Sequence, residues 1–98
     1  MSRLQWSRTA VANLQHIAEF IREYSPVREQ QVMESIIAGA NQLATLPRSG
    51  QKREVLPSGR EIRTLLVTKR YRLVYAVEVA TDDVVILQVL DVRSDHQA

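Results

Sequence analysis

Six cations stand where they can meet an anion: Arg60, Arg63, Lys69, Arg70 and Arg72 in one short stretch, and Arg93 near the end. The densest part, KRYRLVYAVEV from Lys69 to Val79, runs three of them into a β-branched and aromatic segment that should belong to a core. Arginine presents a planar fork of donors that matches phosphate or carboxylate, and 11 of the 13 cations are Arg. The charge is unevenly distributed. Residues 51–75 carry a net +5 and residues 76–98 a net −4, although the whole chain is only +2. A basic block of this kind points to an anionic partner, either nucleic acid or an acidic protein surface. The competing reading is a solvated strand face with its charges spread around it.

Other chemistries are narrower. Cysteine is absent, which removes a thiolate nucleophile, a disulfide framework and a Cys-type zinc site. His16 and His96 are the two histidines. No metal and no cofactor are expected.

The elements that must position these cations follow from length and pattern. Ninety-eight residues suit one domain with one hydrophobic core, spanning residues 1–98. The composition, 45% hydrophobic and 24% charged, is that of a globular chain. No apolar run is long enough for a membrane span, and MSRLQWSRTA is too polar for a signal peptide, so a cytoplasmic location and no membrane partner are expected.

Leu4–Trp6 reads as a short strand, and Ser7 as the N-cap of a helix whose apolar face is Ala10, Leu14, Ile17, Ala18 and Ile21. Ser25-Pro26 ends that helix near Tyr24 and starts another, with Ser25 as cap and Pro26 in the first turn. The second core face is Met33, Ile36, Ile37, Ala40, Leu43 and Ala44. Gly39 costs this helix about 1 kcal/mol against alanine, and a close helix crossing would explain it. The helical hairpin covers about residues 8–46, PRSGQKRE is a polar loop, and the sheet-forming half covers about 60–93. Glu61–Val67, Tyr71–Val79 and Val84–Val92 read as strands joined by short antiparallel connections. The expected fold is α+β, in the order β-α-α-β-β-β, with the hairpin packed on one face of a small antiparallel sheet. In the middle strand Tyr71, Leu73, Tyr75 and Val77 share one face, while Arg72, Val74 and Ala76 share the other. Arg63 and Arg93 join Arg72 only if the register permits.

That element order, with LQWSRTAVANLQHIAEFI, LATLPRSGQKRE, KRYRLVYAVEV and VVILQVLDVRSD, resembles the RelE/ParE superfamily of bacterial toxins. The resemblance spans nearly the whole chain and is closer to ParE-like members. It implies the toxin of a type II toxin–antitoxin system, active in plasmid or chromosomal maintenance and bound tightly by a cognate antitoxin. ParE-like members inhibit DNA gyrase without chemistry of their own, and that is the expectation here; Asp91 stands where they often carry histidine. RelE-like members are ribosome-dependent endoribonucleases that cut mRNA, and a degenerate toxin acting only with its antitoxin is a third reading. In the nuclease reading, Arg72 and Arg93 stabilise the phosphorane and Arg63 holds the RNA backbone. Arginine stays protonated and is a poor base, so proton transfer would fall to His96 in the tail RSDHQA. In the gyrase reading, Arg60, Arg63, Lys69, Arg70, Arg72 and Arg93 are binding residues and none is catalytic.

Overall fold

The computed structural model describes residues 3–93, and two helices cover one face of a five-stranded mixed sheet in it. The elements are β1 (Leu4–Trp6), α1 (Arg8–Arg22), α2 (Pro26–Thr45), β2 (Gln51–Val55), β3 (Glu61–Val67), β4 (Tyr71–Val77) and β5 (Val84–Asp91), with strand order β1-β5-β4-β3-β2. The RelE/ParE-like α+β arrangement is present, with one strand more than the sequence pattern indicates.

Both helix starts have a local cause. Ser7 Oγ accepts from Ala10 N at 3.0 Å while donating to Leu87 O at 2.9 Å, so one hydroxyl caps α1 and ties it to β5. Ser25 Oγ accepts from Arg28 N at 3.1 Å, and Pro26 occupies the first turn of α2. Ala10, Ala18 and Ile21 of α1 are buried, as are Val32, Ile36, Ala40 and Leu43 of α2. The seam of α2 is therefore rotated from the expected one: Val32 enters the core and Ile37 is left 43% exposed. Gly39 serves the sheet rather than a helix crossing, because a Cβ there would lie 2.8 Å from Val67 Cγ2. Asn13 Oδ1 accepts from Val89 N at 3.0 Å and pins α1 to β5.

Two sheet features depart from the expectation of an all-antiparallel sheet. Strand β1 pairs in parallel with β5, Leu4 with Val84 and Trp6 with Ile86. Strand β2 forms inside the segment read as a loop. All five of its residues are exposed at the sheet edge, so it lacks the apolar alternation that marks a half-buried strand. In β4, Tyr71, Leu73, Tyr75 and Val77 all face the helices and are buried. Arg72 and Val74 point to the face that no helix covers. No helix among the described residues is long and apolar enough to cross a membrane.

Candidate functional site

The strand register decides which cations meet. Residues directly opposite in neighbouring antiparallel strands share a face. Arg72 pairs with Leu66 on one side and Leu90 on the other, so the open face carries the row Leu66–Arg72–Leu90. The next row is Thr64–Val74–Gln88. Arg53, at the β2 bulge, reaches this face and donates to Thr64 Oγ1 at 3.0 Å. Leu66 is 50% exposed, which leaves an apolar shoulder beside the guanidinium. Arg72 is itself engaged by an interaction within the chain.

Arg63 does not join Arg72. It pairs with Tyr75, whose side chain is in the core, and so lies on the helix-side face. There Arg63 Nη1 donates to Gly50 O at 2.8 Å and Arg48 O at 3.2 Å, and Nε donates to Glu61 Oε1 at 2.8 Å. Tyr75 completes this clamp, its hydroxyl accepting from Gly50 N at 3.0 Å. Burial raises the Tyr75 phenol above its ordinary value, with the Gly50 amide opposing. The hydrogen bond from Arg63 is the main cause that holds the Glu61 carboxyl below its ordinary value. Arg48 continues the network to Asp82 at 2.8 Å.

Arg60 is also distant from the turn that carries Lys69. It sits before β3, with Nε 2.7 Å from Glu78 Oε1, and about 20 Å of strand separates it from the turn at the usual rise per residue. The two ends of β3 therefore carry separate cation sets.

Lys69 and Arg70 belong to the turn between β3 and β4, in which Thr68, Lys69 and Arg70 join the paired residues Val67 and Tyr71. Thr68 and Lys69 have φ of 55° and 61°, and Arg70 N donates to Val67 O at 3.1 Å, the signature of a type I′ turn. Turning this way places Lys69 and Arg70 on the helix side, away from Arg72. Arg70 Nη2 and Nε lie 3.1 and 3.4 Å from Asp91 Oδ2, and the guanidinium is 5.6 Å from the Tyr71 ring centroid. The Asp91 hydrogen bond is the main cause that raises the Arg70 pKa, and burial raises that of Tyr71. Arg93, just past β5, is exposed beside this group. His16 of α1 lines a cavity with Arg70, Tyr71 and Arg93. His96 lies outside the described residues. Among the described residues no group of three or more His, Cys, Asp or Glu could hold a metal ion.

What the sequence reading missed here was the clamp on the 48–50 segment. A signal was present in Gly50, whose Cβ would sit 2.5 Å from both Thr64 O and the Tyr75 hydroxyl.

Comparison with known proteins adds family and fold. The family described as the ParE toxin of the type II toxin–antitoxin system parDE matches residues 4–97. No curated protein matches the sequence significantly. Among solved structures, the chromosomal ParDE toxin–antitoxin system from P. aeruginosa contains a chain that is 21% identical, with a TM-score of 0.70. That match covers 93% of this chain and 96% of that one. The RelBE2 toxin–antitoxin complex from Mycobacterium tuberculosis gives 21% identity and a TM-score of 0.60, over 92% and 96% of the two chains.

Proposed function

The chain belongs to the ParE toxin family of type II toxin–antitoxin systems, and from that premise we propose that it arrests growth by binding and inhibiting DNA gyrase. A cognate antitoxin holds it inactive until released. The observation that carries the gyrase reading is the row Leu66–Arg72–Leu90 on the uncovered sheet face. Cleavage of RNA needs a group that takes a proton and another that returns it. Among the described residues this row and its neighbour Thr64–Val74–Gln88 contain no His, Tyr, Asp or Glu. Tyr71 and Tyr75, the tyrosines of the same strand, are buried on the opposite face. A guanidinium between two leucines is suited to binding instead: its fork takes an anion or carboxylate while the apolar flanks keep water from the contact.

The test is a gyrase supercoiling and DNA-cleavage assay with purified toxin, repeated with excess antitoxin. Inhibition or trapped cleavage that the antitoxin reverses is the expected result, and Arg72→Ala should weaken it about tenfold or more. A folded toxin that leaves gyrase untouched yet cuts ribosome-bound mRNA would replace this reading with the nuclease one. Arg72, Arg93 and His96 would then be the first residues to change.

A further inference from the structure

On the face of the sheet opposite Arg72, two adjoining cavities share the walls Arg70, Tyr71 and Arg93. One, of about 470 Å³, lies between α2 and the β3–β4 turn and gathers Arg28, Lys69, Arg70 and Arg93 with the Ser35 hydroxyl. The other, of about 380 Å³, lies against α1 and is faced by His16, Ile17, Phe20 and Tyr71. Together they form a cationic chamber beside a more apolar one.

We propose that this pair of chambers is a binding site for a nucleoside phosphate, with the base against Phe20 and His16 and the phosphate among Arg28, Lys69 and Arg93. Three features of the structure carry it. First, cations outnumber carboxylates there: among the described residues Arg28, Lys69 and Arg93 form no ion pair, and Asp91, the carboxylate at the adjoining wall, is paired with Arg70 at 3.1 Å. Exposed cations that line one cavity give it a positive potential, which draws an anion in. Second, Arg70 is preorganised by Asp91 through Nε and Nη2, so the wall common to both chambers is held in place. Third, the turn that delivers Lys69 is strained, since Thr68 is β-branched at a φ of 55°.

A phosphate monoester concentrates up to two negative charges and three acceptor oxygens in one group, which suits converging cations. An acidic peptide spreads single charges along about 3.3 Å per residue and asks for an extended groove instead. The aromatic and imidazole rings in the second chamber suit a base, whose π-face stacks on them with little regard to sequence. Each chamber is within the usual range for a small-ligand pocket, about 300–1,000 Å³.

Isothermal titration of the full-length toxin with adenosine 5′-monophosphate, inorganic phosphate and adenosine tests this. Adenosine monophosphate should bind about tenfold or more tightly than either part alone. Lys69→Glu should weaken both the nucleotide and phosphate about tenfold, Phe20→Ala the nucleotide only, and Arg72→Ala neither. Lys69 and Phe20 are exposed, and far-UV circular dichroism of each variant confirms the fold before titration. Equal binding of phosphate and nucleotide would mean an adventitious ion only and would overturn the proposal. Absence of saturable nucleotide binding at millimolar concentration would do the same, as would a glutamate-rich peptide binding in its place with sensitivity to Lys69→Glu. None of these readouts involves gyrase, so the site and the target are judged separately.

Discussion

Replacing Arg63 separates a cation that holds the fold from one that meets a partner. Its side chain is 12% exposed and donates to Gly50 O at 2.8 Å, Arg48 O at 3.2 Å and Glu61 Oε1 at 2.8 Å. Arg63→Ala strands the Gly50 carbonyl in a buried setting and frees the 48–50 segment. Hydrogen bonds to a charged group contribute about 1.5–3 kcal/mol each, and the segment relaxes partly, so a net loss of about 2–3 kcal/mol is expected. For a domain of this size that lowers Tm by about 10–20 °C. Arg63→Lys should fall between, because an ammonium keeps the charge but cannot serve both carbonyls and Glu61 from one planar fork. Arg72→Ala, on the half-open face, should cost less than about 1 kcal/mol. Urea unfolding followed by circular dichroism measures all three, with toxin activity assayed well below each Tm. An Arg63→Ala protein as stable as the parent but devoid of activity would refute the reasoning and make Arg63 a target contact.

Other perturbations probe the same architecture. Glu61 has its pKa lowered, so its contribution is present above the ordinary glutamate range and lost as pH falls through its folded value. Urea midpoints should therefore drop below about pH 4.5, with a shallower acid limb in Glu61→Gln; an unchanged limb would remove Glu61 from the account. Gly50→Ala drives a methyl to 2.5 Å from Thr64 O and the Tyr75 hydroxyl, and should cost about 2 kcal/mol or more by calorimetry, whereas a neutral result would mean that the segment shifts freely. Thr68→Asn relieves a β-branched residue at a φ of 55° and should raise Tm by several degrees, an estimate from about 1 kcal/mol of left-handed strain. A fall in Tm would mean that the Thr68 hydroxyl, which donates to Val67 O at 2.6 Å, outweighs the strain.

What the sequence made legible was local. Ser7 and Ser25 announce their helices because a cap acts within three residues, and both hydroxyls accept the expected amides. Strands β3, β4 and β5 were readable from their β-branched and aromatic residues between short connections, and the pleat of β4 put Tyr71 and Tyr75 on one face and Arg72 on the other. Strand β2 was not, because QKREV is exposed throughout and is held by its pairing with β3, Gln51 with Thr64 and Val55 with Glu61. The parallel pairing of β1 with β5 joins residues 80 apart, and nothing in LQW specifies it. The face of Arg63 depends on register across β3 and β4, which the sequence leaves open, and the pairing with Tyr75 puts it on the face opposite Arg72. Val32 and Ile37 exchanged places for a similar reason. Both fit a helical stripe, and only the contact with the sheet selects between them.

The three cations of KRYRLVYAVEV thus serve opposite sides of one sheet. The type I′ turn sends Lys69 and Arg70 toward the helices, and the pleat sends Arg72 the other way. Side chains on the two faces point away from each other, and exposed charges are screened beyond a Debye length of about 8 Å at physiological salt. Each face therefore presents its own potential to an approaching partner, largely independent of the other and of the chain's net +2. An acidic segment that neutralises the helix-side set need not cover Arg72, and a target engaged through Arg72 need not displace it. Competition between two partners for this toxin then turns on shape and on the edges each one wraps. A charge reversal on one face should change one affinity and its salt dependence while leaving the other intact.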